Sequence, residues 1–151
     1  MDKILFIQTG GTIDKAYPQN PTNHGYAFAI DEPASRVILE RARPGFEYEI
    51  KTVLKKDSLD MTDADRTIIR ETIETAPNSK IIITHGTDAL QQTAEFLRNL
   101  DGKTIVLTGA MQPEKFRDSD ADFNLGMAVA CVQTLPSAVY ITLSGEVRKI
   151  S

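Results

Sequence analysis

Three short stretches of this 151-residue chain combine hydroxyl side chains with glycine. They are Thr9-Gly10-Gly11-Thr12, Thr84-His85-Gly86-Thr87-Asp88 and Thr108-Gly109-Ala110-Met111, and each closes an apolar run. Glycine lets a backbone approach a ligand closely or take a positive φ, and helix N-termini beyond such turns offer free N–H groups to a carboxylate. Any one of the three, taken alone, is more simply an ordinary turn whose Thr or Asp caps a helix. A phosphate-binding loop does not fit, because neither G-x-G-x-x-G nor G-x-x-x-x-G-K-S/T occurs. The chain has one cysteine and two histidines. None sits at metal-ligand spacing, so no metal and no cofactor is expected. His85 reads as a structural residue that hydrogen-bonds its loop, and Cys131 as a small core residue.

The elements that must position these turns follow from the hydrophobic pattern. Residues 3–9 (KILFIQT) form a continuous apolar run, as expected of a strand buried on both faces. Residues 14–25 read as a loop, 26–30 (YAFAI) as a short strand closing it, and 33–41 as a helix. A strand is expected over 46–54. Thr62, with Asp65 three residues on, starts a helix with Ile68, Ile69, Ile73 and Ala76 on one face. Strands at 80–84 and 103–108, helices over 88–100 and from Ser119, and a last strand at 138–143 complete the pattern. Strands alternating with helices in this way predict one α/β domain spanning residues 1–151, an open and mainly parallel sheet with helices on both faces. In such sheets ligands bind at the carboxyl ends of the strands. All three glycine turns fall there.

Composition narrows the partners. The formal net charge is −4 with dispersed Lys and Arg, which argues against nucleic acid. No apolar run approaches the ~20 residues that span a bilayer. With a single cysteine no internal disulfide forms, and a reducing cytoplasm is the expected setting.

Taken together, TGGTI at residues 9–13, HGTDAL at 85–90 and TGAMQP at 108–113 resemble the bacterial-type L-asparaginase family. SLDM at 58–61 and DSDADFNLGMAV at 118–129 extend the resemblance over most of the chain. It implies the Rossmann- or flavodoxin-like N-terminal domain of that family, in a short form without the C-terminal domain. It also implies hydrolysis of the side-chain amide of L-asparagine, or a related small amide, through a threonine ester. Residue by residue, Thr12 matches the nucleophilic threonine and Tyr26 the mobile-loop tyrosine that activates it. Ser58 matches the serine that holds the substrate's α-carboxylate. Thr87 and Asp88 match the second threonine and the aspartate of a Thr-Lys-Asp group, the aspartate also meeting the α-ammonium. Lys149 resembles the lysine of that group, after a shorter preceding run than most members have. A homodimer or higher homo-oligomer is implied as well. The alternative is a small amino-acid-binding or assembly domain that keeps the site without turnover.

Overall fold

In the computed structural model, which describes residues 2–16 and 29–151, the first apolar run is β1 (Ile4–Gly10), and every residue of it is buried. A short antiparallel ribbon of β2 (Lys15–Ala16) and β3 (Ala29–Ile30) leads to α1 (Ala34–Ala42) and β4 (Tyr48–Lys56). Then come α2 (Asp63–Thr75), β5 (Lys80–Thr84), α3 (Leu90–Phe96), β6 (Thr104–Thr108), α4 (Ala121–Thr134), β7 (Val139–Leu143) and β8 (Glu146–Ile150). The main sheet has the order β4-β1-β5-β6-β7-β8 and is parallel except for β8. The expected open α/β sheet is therefore what the chain forms.

Alternation along the strands divides the core in two. Phe6, Ile82, Val106 and Tyr140 point to the side covered by α1 and α4. Ile7, Ile83, Leu107 and Ile141 point to the side covered by α2 and α3. Each such side chain contributes about 1.5–3 kcal/mol by leaving water, enough to hold β1, β5 and β6 in register. That register sets Gln8 beside Thr84 and Thr84 beside Thr108, so the three glycine turns leave the sheet side by side.

The chain moves outward from β1 to β4, then returns across β1 to β5 and continues to β6 and β7. The direction of winding reverses between β1 and β5, which makes that gap the topological switch point, where open α/β sheets form their ligand crevice. The TGGT and HGTD turns flank it.

Two elements differ from the sequence-based expectation. The helix expected over 88–100 is only Leu90–Phe96, and no side chain of its own caps it. Residues 146–150 are a strand, because Ser144 and Gly145 both take positive φ and fold β8 back against β7 as a tight hairpin. By contrast α2 starts as expected, with Thr62 and Asp65 forming a reciprocal capping box.

Candidate active site

The first threonine of each glycine turn is consumed by the scaffold. Thr9 Oγ1 donates to the Thr84 carbonyl at 2.7 Å and Thr108 Oγ1 to the Thr142 carbonyl at 2.7 Å, and both threonines are fully buried. These bonds stitch strand ends together and leave no hydroxyl for chemistry. Thr12 and Thr87 differ. Both are half-buried, and neither side chain makes a hydrogen bond among the described residues.

Backbone contact brings these two threonines together. Gly11 has φ 87° and ψ 179°, a region open essentially to glycine alone. A Cβ on Gly11 would lie 2.4 Å from the Gly86 nitrogen and 2.5 Å from its Cα. One residue further along each chain stand Thr12 and Thr87. Given that approach and two Cα steps, their Cα atoms are at most about 12 Å apart, a span that a small amino acid and two side chains fill. The β6 turn closes against the same group, for a Cβ on Gly109 would meet the His85 carbonyl at 2.3 Å and Thr87 Cγ2 at 3.4 Å.

Ser58 supports the HGTD turn from the end of β4. It is buried, a Cβ on Gly86 would sit 2.7 Å from its Oγ, and that Oγ accepts the Ala89 N–H at 3.1 Å. Ser58 thus caps the start of α3, the task that the sequence assigned as readily to Asp88. With its oxygen engaged as acceptor, its O–H remains a donor. Asp88 is exposed, and its carboxylate has no hydrogen bond or ion pair among the described residues.

Lys149 does not join this group. The Ser144–Gly145 hairpin sends β8 back down the sheet, so Lys149 pairs with Tyr140 rather than with the strand ends. It is exposed and has no ion-pair partner among the described residues. Three strand spacings separate β8 from β5, about 14 Å. The expected Thr-Lys-Asp group is therefore not assembled: Lys149 stands apart from Thr87 and Asp88. Tyr26 lies outside the described residues.

A hydrogen-bonded chain holds the HGTD turn from below. Arg66 Nε donates to Thr93 Oγ1 at 3.0 Å, Thr93 Oγ1 donates to His85 Nε2 at 2.8 Å, and His85 Nδ1 donates to the Gly86 carbonyl at 2.7 Å. A carbonyl can only accept, so the Gly86 bond puts the proton on Nδ1 and leaves Nε2 to receive the threonine. Burial drives the imidazole from 6.5 down to about 4, the Gly86 bond opposing it and Arg66 adding to the fall. His85 is therefore a neutral positioning residue.

Asp14, two residues after Thr12, is bonded to the residues that lead into α1. Its Oδ1 accepts the Ala34 N–H at 2.7 Å and its carbonyl accepts the Asp31 N–H at 2.9 Å. Oδ2 is buried without a partner among the described residues. Burial pushes this carboxyl from 3.8 up to about 7, against the pull of the Ala34 N–H, Gln8 and Lys55.

Asp14 and His85 make opposite contributions to the pH dependence of stability. Asp14 has a raised folded pKa, so its contribution is complete below pH 3.8 and is lost as the pH climbs through about 7, a change of roughly 4 kcal/mol. His85 has a depressed one, so its contribution is complete above pH 6.5 and is lost as the pH falls to about 4, roughly 3 kcal/mol. Urea unfolding between pH 4 and 6.5 separates them. Asp14→Asn is expected to gain stability with rising pH, and His85→Gln to lose it. Parallel profiles in the two variants would refute the assignment.

Sequence reading missed Asp120 and Asn124. The Asp120 carboxylate accepts the N–H groups of Met111 and Gln112, and Asn124 Nδ2 donates to the Gly109 carbonyl at 2.9 Å. Asn124 Oδ1 accepts the Ser144 N–H, which links the β6 turn to the β7–β8 hairpin. Burial disfavours the Asp120 charge, but these backbone donors and Asn124 together hold its carboxyl below the usual range. The sequence signals were their place in the DSDADFNLGMAV stretch and the i, i+4 spacing of Asp120 and Asn124 near a helix start.

An open cleft of about 470 Å³ adjoins the β4 side of the switch point, lined by Lys15, Ile30, Lys56 and Asp57 among others. A hollow of about 280 Å³ lies at the other end of the sheet, between residues 98–103 and 137–139, and is remote from the glycine turns.

An α/β sheet whose switch point is built from TGGT and HGTD turns defines an asparaginase-type domain. The family model described as "Asparaginase, N-terminal" matches residues 3–149, and the chain belongs to that family. It is 29% identical to an L-asparaginase of Thermococcus kodakarensis over 96% of this chain and 45% of the relative. It is 28% identical to a glutaminase-asparaginase of Acinetobacter glutaminasificans, over 85% of this chain and 41% of that one. Among solved structures, the thermostable L-asparaginase from T. kodakarensis superposes with a TM-score of 0.79 at 28% identity, over 96% of this chain and 45% of that one. The probable cytoplasmic L-asparaginase from Campylobacter jejuni gives 0.78 at 26% identity, over 97% and 46%. The chain thus spans less than half the length of these relatives. Among the described residues, no helix is long and apolar enough to cross a membrane.

Proposed function

We propose that this chain is an asparaginase-like amidohydrolase that releases ammonia from the side-chain amide of L-asparagine or a related small amide. The observation that supports this reading is the Gly11–Gly86 contact at the switch point, which keeps the Cα atoms of Thr12 and Thr87 within about 12 Å of each other, with both hydroxyls uncommitted among the described residues. Thr12 Oγ1 attacks the amide carbon while its proton passes to a neighbouring base. A threonine hydroxyl needs such a base to act as a nucleophile. By resemblance that base is Tyr26, which returns the proton to the departing amine. Backbone N–H groups of the glycine turns stabilise the oxyanion, ammonia leaves, and water opens the Thr12 ester to give the carboxylate. Thr87 orders the reacting group from the facing turn. The free Asp88 carboxylate receives the α-ammonium, and the Ser58 O–H donates to the α-carboxylate. The route uses no cofactor, and the single buried cysteine suits a reducing cytoplasm.

A second reading has support in one observation: Lys149 stands away from Asp88. On that reading the crevice binds a small amino acid without turning it over. Ammonia release from asparagine and glutamine by the wild type, Thr12→Ala and Thr87→Val separates the two. Turnover lost in both variants supports the hydrolase, whereas aspartate binding with no turnover in the wild type supports the binder.

A further inference from the structure

We infer that Asp14 is a positioning residue whose buried carboxyl, by gaining or losing one proton, moves the turn that presents Thr12; the step from that turn to ligand binding rests on the crevice reading proposed above. Thr12, Ile13 and Asp14 form one short 3₁₀ turn, closed by the Asp14 N–H on the Gly11 carbonyl at 3.2 Å. Its two flanks are fixed. The Gly11 N–H donates to the Lys56 carbonyl at 3.0 Å, and the Ile13 carbonyl accepts the Glu114 N–H at 3.1 Å. With only two soft dihedrals per residue between them, Asp14 cannot turn its backbone without carrying Thr12 along.

The carboxyl sits where neither protonation state is fully satisfied. Asp14 is 3% exposed, and its neighbour Ile13 and its partner Ala34 belong to the core under α1. Oδ1 accepts the Ala34 N–H at the start of α1, where the helix dipole favours an anion, but Oδ2 has no partner among the described residues. In the neutral form that is one unpaired oxygen. In the ionised form it is a buried charge held on one side only, which costs more.

The surroundings supply little to balance that charge. Lys55 on β4 pulls toward the ionised form. Gln8 pulls the same way, although its amide already donates to the Asp31 carbonyl at 2.8 Å and accepts Thr52 Oγ1 at 2.7 Å. Other charges on the elements around Asp14 are engaged: Lys15 by Asp57 at 2.9 Å, Glu32 by Lys115 at 3.4 Å and Glu114 by Arg41 at 3.5 Å. Asp31 meets it through the backbone, its N–H on the Asp14 carbonyl at 2.9 Å. Burial outweighs these pulls, and the carboxyl is pushed up to about 7, so its charge changes across the neutral range. Loss of the proton drives Oδ2 toward Lys55 or water, and either move turns Asp14 and with it Thr12. The neutral carboxyl is the form that holds Thr12 at its place near Thr87.

NMR titration of the full chain, without ligand, tests this. In the wild type the Asp14 carboxyl carbon and the Thr12 and Ile13 amides are expected to titrate together, with a midpoint near 7. Asp14→Asn keeps an acceptor for the Ala34 N–H and carries no charge, and its Thr12 amide is expected to stay level through the neutral range. The dissociation constant for L-aspartate should rise up to about tenfold per pH unit above the midpoint in the wild type, because only the protonated fraction binds, and stay level in Asp14→Asn. A carboxyl that titrates near its ordinary 3.8, or a Thr12 amide that stays still while the carboxyl titrates, would overturn the proposal. So would a Thr12 titration that survives in Asp14→Asn, as a histidine would give. If Asp14→Asn does not fold, coincidence or separation of the two wild-type midpoints decides. Failure to bind aspartate at any pH would sink the crevice reading instead, while the Thr12 amide, read without ligand, still decides the role of Asp14.

Discussion

Replacing Thr12 by alanine is expected to lower kcat for asparagine by on the order of 10³-fold or more while aspartate still binds. Thr12 begins the turn that follows Gly11, and its hydroxyl makes no hydrogen bond among the described residues, so the scaffold loses little when it is removed. On the proposed mechanism, what is lost is the atom that forms the ester. Thr12→Ser keeps a hydroxyl on a more mobile side chain and is expected to retain part of the rate. Thr87→Val keeps the shape and loses the second hydroxyl, and it is also expected to cost orders of magnitude. With both groups acting on one substrate, as proposed, the double variant should be little worse than Thr12→Ala alone. Losses that multiply would place the two threonines in independent roles. Thermal and urea unfolding of Thr12→Ala should match the wild type within about 0.5 kcal/mol, which keeps the kinetic effect distinct from a folding defect.

Gly11→Ala is expected to be the most damaging single-methyl change in the crevice. Its φ of 87° with ψ of 179° strains any residue bearing a Cβ, by about 1–3 kcal/mol. The new methyl would also stand 2.4 Å from the Gly86 backbone nitrogen, and backbone cannot swing aside as a side chain can. Relief requires the TGGT and HGTD turns to separate, which pulls Thr12 from Thr87. Stability should fall by about 3 kcal/mol or more in urea unfolding, and kcat/KM should collapse even at low temperature where the variant remains folded. Gly126 is the control: it lies exposed on α4 with nothing near its would-be Cβ. There an alanine is expected to add about 0.5–1 kcal/mol and leave the rate unchanged.

The fold was legible in the sequence because buried parallel strands write themselves as unbroken apolar runs. ILFI, KIII and TIVL each appear where β1, β5 and β6 lie, and the capping box at Thr62 marks α2. The short β8 was not legible, since EVRKI exposes four of its five residues and shows no apolar run, and only the Ser-Gly pair before it hints at a hairpin. That hairpin is why Lys149, placed by resemblance beside Asp88, lies across from Tyr140 instead. α3 starts later than its pattern, at a cap borrowed from Ser58, 31 positions away in the chain, which no local rule reveals, and it stops at Phe96, ahead of Asn99 with its positive φ. Within the site, the types of residue were readable and their division of labour was not. TGGT and HGT each lie in a stretch that carries two threonines, and only tertiary contacts separate the stitching Thr9 and Thr84 from the uncommitted Thr12 and Thr87. The neutral tendency of Asp14 likewise depends on burial beneath α1, invisible in a loop sequence rich in polar residues.

A crystal structure of the chain with L-aspartate bound measures most directly whether Thr12 and Thr87 share one crevice at the switch point. The expected result has one side-chain carboxylate oxygen within hydrogen-bond reach of both threonine hydroxyls, with the α-ammonium at Asp88 and the α-carboxylate at Ser58. Aspartate touching only one of the two hydroxyls, or lodged away from the gap between β1 and β5, would contradict it.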